Sequence, residues 1–588
     1  MAESDAIVLP LGSGIELQAT GVRRDREGSL VADVAVLNGQ PLWGRSVTLS
    51  AQKDRLQAAT EAAAVPGVAP VTTAQLEHAL LDLLTKAPAL LQSHTGPSQA
   101  ETLVTLAEKS EGGEMTEFWH NHGEPWVTYH VNDHWENWPV QSGRVTRWLI
   151  GRYYFHCGKP PSKDALAGAL AVLEARAIYD GPEYTIHTRL AQSGELIYLD
   201  LADVSWGAVE IDRHGWQVIE RPPVKFRRAR GMLPLPEPVM GGSLDRLWTY
   251  MNVVDPKDRI LLKAWLVAIL RPTGPYAVLA ISGEQGSGKS TMARVLRNIV
   301  DPNVAPLRAP PHKDLDIAIT AQNSWCSAFD NLSRIDPWFA DAICRLATGG
   351  GHATRKLWTD SDETLFDSQR PVILNSIEDL ATRADLLDRS LVITPPPLTK
   401  GKRKSEAALW DSFEKDHPLI LGALLTAVSV ALMNVAKVRT TNLPRMADFA
   451  TWALAAAPAL GYTSRDFLAA YNGNRRDANS LALESSPITG PLRRLLNKHN
   501  PFEGTCKSLL EQLDDTRSDS ERKSKTWPSS PRALTGALKR ITPNLREEGI
   551  GVEELGRKGD GYRLRITKLP SRRSQRSQVH SGAQSKRA

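Results

Sequence analysis

The stretch Ile281–Thr291, ISGEQGSGKST, constrains this chain more than any other. It follows the apolar run YAVLA and precedes MARVLRNIV, whose apolar residues recur at helical spacing. A strand that turns through glycines straight into a helix gathers backbone N–H groups around one point, and a helix N-terminus there favours an anion. Gly283, Glu284, Gln285, Gly286, Ser287, Gly288, Lys289 and Ser290 fill the pattern GxxxxGK[ST] completely, with Thr291 next. In that pattern the glycines let the backbone curl around a β-phosphate, the lysine reaches the β and γ oxygens, and the hydroxyl ligates Mg2+. Residues 283–291 are therefore read as an ATP site, with Mg2+ on Ser290. The alternative is a glycine turn that holds nothing.

Such a loop needs an acid on a neighbouring strand. SWCSAFDNLS supplies Asp330, 41 residues after Lys289, as the second Mg2+ residue. The next residue, Asn331, stands where an acid commonly orients or deprotonates the attacking water. An amide positions water but is no base, which leaves that role to Asn331 in the weaker form or to another acid such as Asp341. RPVILNSI is a further strand ending in Asn375, suited to contact a γ-phosphate or the attacking water. DLLDRSLVI places Arg389 just before another apolar strand, either as a cation acting on a neighbour's ATP or as an ordinary ion-pair partner. Between Asp330 and Asn375 lies LATGGGHATRKLWTDSDETLF. Thr348, Gly349 and Gly350 suggest a tight turn. His352, Arg355 and Lys356 would then project from a hairpin, where basic side chains suit a phosphate backbone without sequence preference. A solvated hairpin with no partner is the alternative.

The ordered series GEQGSGKS, AFDN, LATGGGHATRKL, VILN and LLDRS resembles the superfamily 3 helicases of phages, viruses and plasmids, especially the C-terminal ATPase of phage and poxvirus primase–helicases. The resemblance covers about residues 240–400, and more loosely 117–240. It implies an AAA+-type ring, usually a hexamer, that translocates on single-stranded DNA. Arg389 would act in trans, and Asn331 departs from the family pattern.

With 588 residues, several domains are expected. The 71 basic and 66 acidic residues nearly balance, so nucleic-acid contacts would be local. Cys157, Cys326, Cys344 and Cys506 form no CxxC pair, which points to reduced thiols and a cytoplasmic protein. No signal-peptide core is evident near the first residues. Pro418–Ala436 is uncharged over 19 residues, close to membrane-span length, and is read as a buried helix. Residues 1–60 alternate as short antiparallel strands. A capping box at Thr72 and Gln75 opens a helix, and residues 88–114 read as a linker. The divisions expected are 1–110, 115–240, the ATPase at 241–400, a helical extension at 401–500, a small domain at 501–569, and a basic disordered tail at 570–588.

His120, His122, His130 and His134 lie in a Trp-rich stretch without standard metal spacing, so an aromatic patch is favoured over zinc. Asp200 and Asp203 would fall on opposite faces of a strand, which argues against a primase metal site. In the last domain, Pro531 starts a helix with Leu534, Leu538 and Ile541 on one face and Arg532, Lys539 and Arg540 outside it. A hairpin tipped by Arg557 and Lys558 follows. Helices followed by a basic hairpin resemble a winged helix-turn-helix, which would contact duplex DNA or a protein. The expected fold is thus α/β, with a P-loop AAA+-like core, a mixed α+β N-terminal region and a C-terminal winged helix. The expected function is an ATP-dependent DNA helicase or translocase for replication of a phage or other mobile element, homo-oligomeric and independent of membranes. A nucleotide-gated DNA-binding initiator and an NTPase acting on a protein partner are the competing readings.

Overall fold

The computed structural model describes residues 6–94, 97–332, 335–349, 352–355, 363–366, 369–376, 384–399, 405–440, 443–522, 526–558 and 561–568. The protein is a mixed α/β chain with several sheets, two of them parallel among the described residues: a two-stranded one and a four-stranded one. It divides into two compact units, Met1–Phe118 with Pro139–Asp180 and Trp119–Trp138 with Gly181–Ala588.

In the first unit β1 (Ile7–Gly12), β2 (Ile15–Arg24), β3 (Leu30–Asn38) and β4 (Gln40–Thr48) form an antiparallel sheet in chain order. The alternation in the sequence explains it, since Ile15, Leu17, Ala19, Ala32, Val34 and Val36 are all buried on one face. Pairing stops at Thr48, so strand content ends before residue 60, and α1 (Gln52–Ala63) follows. In α2 (Thr73–His94) the capping box forms as expected: Gln75 N–H donates to Thr72 Oγ1 (3.2 Å) and Thr72 N–H to Gln75 Oε1 (2.9 Å). The expected linker over 88–114 is instead largely helical. α2 runs on to His94, and α3 (Gln99–Glu108) starts from a second capping box, Ser98 with Glu101. Leu103 and Ala107 give α3 a buried stripe, and it packs on α4 (Gly143–Cys157) and α5 (Lys163–Tyr179).

The sheet β5 (Glu117–Asn121), β6 (Glu124–Val131) and β7 (His134–Pro139) lies in the second unit apart from the first two residues of β5 and the last of β7. Its Trp/His stretch is internally packed. Buried Trp119 stacks on Trp126 at 5.5 Å and donates to Thr128 Oγ1 (2.9 Å), which donates to Asn137 Oδ1 (2.7 Å). Next come β8 (Ile186–His187), the antiparallel run β9 (Leu190–Ser193), β10 (Leu196–Asp200), β11 (Ala208–Ile211) and β12 (Trp216–Ile219), and β13 (Lys225–Phe226) beside β8. Asp200 ends β10 and Asp203 lies in the following loop. Both pair with Arg228, at 2.7 and 3.7 Å, so they share one guanidinium and do not sit on opposite faces of a strand.

The central part contains α6 (Pro256–Ala268), β14 (Val278–Ser282), α7 (Lys289–Val300), α8 (Asp314–Asn323), β15 (Ser327–Leu332), α9 (Pro337–Thr348), β16 (His352–Arg355), β17 (Glu363–Phe366), β18 (Val372–Ser376), α10 (Ala384–Leu387) and β19 (Ser390–Ile393). The sheet order is β15-β18-β14-β19, and every pairing is parallel. Outside β15, Arg308 bridges in parallel to Phe329. β16 and β17 form a separate antiparallel hairpin.

Four helices follow: α11 (Glu406–Asn434), α12 (Ala447–Leu460), α13 (Ser464–Glu484) and α14 (Thr489–Lys498). α11 holds the uncharged run and, by length and composition, is long and apolar enough to cross a membrane. Here Phe413, Ile420, Leu421, Leu424, Leu425 and Val428 are buried in one core with α6 and α12. A Cβ at Gly422 would overlap the Val239 backbone, and Val239 N–H donates to Pro418 O (2.9 Å). The Pro-rich connector therefore lies directly on this helix.

The last elements are β20 (Phe502–Thr505), α15 (Cys506–Asp515), α16 (Asp519–Arg522), α17 (Pro531–Glu547), β21 (Ile550–Lys558) and β22 (Gly561–Lys568), with an antiparallel sheet ordered β20-β22-β21. Leu534, Leu538, Ile541 and Leu545 of α17 pack on Leu509 and Leu513 of α15 and on Leu564 and Ile566 of the sheet. The basic tail lies outside the described residues.

Candidate functional site

The carboxyl ends of three adjacent parallel strands converge on one point, the place where open α/β sheets hold ligands. β14 ends at Ser282 and the chain turns through Gly283–Gly288 into α7. Gly286 (φ 82°) and Gly288 (φ 87°) are left-handed, a conformation that costs an L side chain about 1–2 kcal/mol. Lys289 is buried, and its ammonium donates to the carbonyls of Gly283 (2.7 Å) and Glu284 (2.8 Å). Burial lowers its pKa, with Asp330 partly opposing.

Ser290 Oγ lies 3.3 Å from Asp330 Oδ1. Asn375, beside Ile281 in the sheet register, donates to Ser290 Oγ (3.0 Å) and to Asp330 Oδ1. Lys289, Ser290, Asp330 and Asn375 are thus brought together. Among the described residues, Asn375 Oδ1 and Ser287 Oγ are buried there without a hydrogen-bond partner, a cost that a bound polar group would relieve. A hydroxyl and a carboxylate side by side are hard oxygen donors that fit Mg2+, and the ammonium fits a phosphate oxygen. Glu284 and Gln285 are exposed on the loop, and Thr291 is half-buried on α7.

Asn331 has φ 57°, and the pairing of β15 with β18 slips between Phe329 and Leu332. Asparagine is one of the few residues that adopts this conformation readily, so the backbone gives its own reason for Asn at this position. Asp341 lies on the exposed face of α9. Arg389 immediately precedes β19 and donates to Asp385 O (3.0 Å). Ser390 pairs with Val278, at the opposite end of β14 from the loop. Five residues of strand, about 16 Å, separate the two ends, so Arg389 is not brought to the cluster of its own chain.

Thr348 is the last residue of α9, with its hydroxyl on Cys344 O (2.7 Å), and Gly349 (φ 90°) caps that helix. These two residues end a helix and do not form a hairpin turn. In the hairpin itself, His352 stands opposite Phe366 and Arg355 opposite Glu363; Gly350 and Lys356 lie outside the described residues. On α17, Arg532 and Arg540 are exposed, and Lys539 pairs with Glu554 at 3.2 Å. Arg557 stands opposite Tyr562 and Lys558 opposite Gly561 on the β21–β22 hairpin.

Sequence reasoning missed three side chains around the loop. Asn252 donates to Ser287 O (3.3 Å) and to Pro396 O, tying the loop to the segment after β19. Asp258, near the start of α6, faces a cavity beside the loop. Asn474 of α13 pairs with both backbone groups of Val392.

No curated protein matches the chain. Among solved structures, three apo forms of the NrS-1 C-terminal region are loosely similar, with 11–12% identity, coverage of 80% of this chain and 98–99% of theirs, and TM-scores of 0.32–0.35. Residues 244–479 match the family described as actinomycete integrative conjugative element replication protein, and residues 488–580 match the AICE RepA C-terminal domain. The two matches follow one another in order and together span more than half of the chain, which belongs to the replication proteins of actinomycete integrative conjugative elements.

Proposed function

We propose that this replication protein is an ATP-dependent DNA helicase or translocase built on a P-loop AAA+-like core. The observation that carries the reading is the convergence of Lys289, Ser290, Asp330 and Asn375 at the carboxyl ends of parallel strands. The sheet order, with the loop strand between β18 and β19, supports it. Lys289 would exchange its two loop carbonyls for β and γ oxygens, and the loop amides would hold the β-phosphate. Ser290 and Asp330 would hold Mg2+, which would supply positive charge against the phosphate oxygens. Asn375 would orient the attacking water or the γ-phosphate. The separation of Arg389 from its own cluster fits action on the ATP of a neighbouring copy, as in a hexameric ring. The β16–β17 hairpin enters β18 within a few residues, so strand-bound basic residues there would move with Asn375.

A second reading has an observation of its own. The order α14, β20, α15, α16, α17, β21, β22, in which α16 is a single four-residue turn, fits a winged helix, and α17 exposes Arg532 and Arg540. Such a module favours duplex DNA, as a nucleotide-gated initiator requires.

Steady-state ATP hydrolysis with and without single-stranded DNA, alongside Lys289→Ala, tests both. Stimulation by DNA that disappears in Lys289→Ala supports the motor. Lys289-dependent ATP binding with negligible turnover overturns it in favour of the initiator, and hydrolysis indifferent to DNA points to a protein-directed NTPase.

A further inference from the structure

Beside the loop lies a cavity of about 350 Å3. Val253, Val254 and Pro256 wall it on the approach to α6, and Ile393, Pro395 and Pro396 on the exit from β19. The same two segments border the loop. Asn252 donates to Ser287 O, Leu398 N–H donates to Gly286 O (3.4 Å), and Pro395 O stands 3.1 Å from where a Cβ on Gly283 would lie. A group bonded to a polyphosphate at residues 283–290 would have this cleft beside it. Its size falls near the lower end of the range for small-molecule pockets, about 300–1,000 Å3.

The lining is apolar apart from a threonine and two acids, and the acids differ. Asp255 is engaged as the cap of α6, accepting from Lys257 N–H (2.8 Å). Asp258 has no hydrogen-bond or ion-pair partner among the described residues. An apolar slot with one unpaired acceptor suits a flat heteroaromatic ring that presents an N–H edge.

We propose that this cavity takes the nucleobase and that Asp258 reads its N–H edge, so that the site selects a purine carrying such a donor, either the 6-amino group of adenine or the N1–H and 2-amino edge of guanine. The inference rests on the reading of residues 283–290 as a triphosphate site. Burial, with Asp255 and Asp477 nearby and Lys257 opposing, holds the Asp258 carboxyl up at about 6, and an N–H donor would relieve that.

The test is a binding panel on the full chain with Mg2+: ATP, GTP, purine riboside triphosphate, which has neither donor, and inorganic tripolyphosphate. The preferred nucleotide should bind about tenfold to a hundredfold more tightly than purine riboside triphosphate, the scale of a hydrogen bond to a charged group. In Asp258→Ala, which leaves no acceptor where asparagine would keep one, that ratio should collapse towards unity, and a ratio is insensitive to a partly misfolded sample. Which of ATP and GTP leads identifies the edge that is read. Equal binding of all three nucleotides alongside Lys289-dependent tripolyphosphate binding overturns the proposal and leaves the phosphate site intact. Absence of any Lys289-dependent binding overturns the phosphate site and the proposal with it.

Discussion

The parallel sheet ends on a side chain. β19 is its outer strand, and Asn474 of α13 accepts from Val392 N–H (3.0 Å) and donates to Val392 O. The amide thus does for one residue what a further strand would do. Asn474→Ala removes both bonds and leaves a donor and an acceptor without partners. Each orphaned group costs about 1–3 kcal/mol when buried. Val392 is only half-buried, so water recovers part of this, and a total loss of about 2–4 kcal/mol is expected. Asn474→Asp keeps an acceptor for Val392 N–H but sets a carboxylate against Val392 O, so it should be no better than alanine. Urea unfolding followed by tryptophan fluorescence reads the change, because Trp265, Trp325 and Trp452 are buried in the adjoining core. Hydrogen exchange at the Val392 amide gives a local readout and should quicken in step. A loss of less than about 0.5 kcal/mol, with Val392 exchange unchanged, would refute the idea that this side chain secures the edge.

Two further perturbations follow from buried groups. Burial holds the His417 imidazole down to about 4, with Arg189 contributing and the hydrogen bond to Ile299 O opposing. Between pH about 6.5 and about 4 the unfolded chain takes up a proton that folded His417 refuses, so stability should fall across that window by up to about 3 kcal/mol from this group. His187, also held at about 4, mainly by burial, adds to the slope. His417→Phe should flatten the plot of melting temperature against pH, and an unchanged plot would contradict the assignment. Gly422→Ala forces a methyl into the Val239 backbone and should cost about 1–3 kcal/mol or displace the connector, read as faster proteolysis between residues 221 and 242. A variant as stable and as resistant as the parent would show that the connector does not rest there.

What the sequence made legible was whatever it spells locally or in fixed order. The loop, Asp330 and Asn375 each sit at the end of a short apolar run, and parallel strands bring such ends together without further information. The first β-sheet, the Thr72 cap and the stripe on α17 follow from periodicity in the same way. Asn474 and Asp258 escaped because their meaning depends on distant chain: Val392 is 82 residues from Asn474, and the cavity facing Asp258 is closed by residues after β19. Nothing near either residue distinguishes it from a solvated polar side chain on a helix. α3 was hidden because a ten-residue helix shows too few turns for a clear period, although Ser98 and Glu101 form its capping box. Asp200 and Asp203 were misplaced because strand spacing was extended past the point where β10 ends. The left-handed backbone of Asn331 has no local signature, and the sequence shows only its side chain.

The connector on α11 bears on how this protein can be taken apart. The family match begins at residue 244, and a fragment cut there would look complete by homology. Physically it would be stripped. Leu190, Ile197, Leu199 and Leu235, all upstream of that point, are part of the core that buries α11. Leu235 N–H also bonds to Leu201 O (2.8 Å), lashing the connector to the β9–β12 sheet. Without these residues a 29-residue helix, long and apolar enough to cross a membrane, would meet water along a flank it never shows in the whole chain. A fragment that keeps this flank of α11 covered therefore has to start ahead of β9.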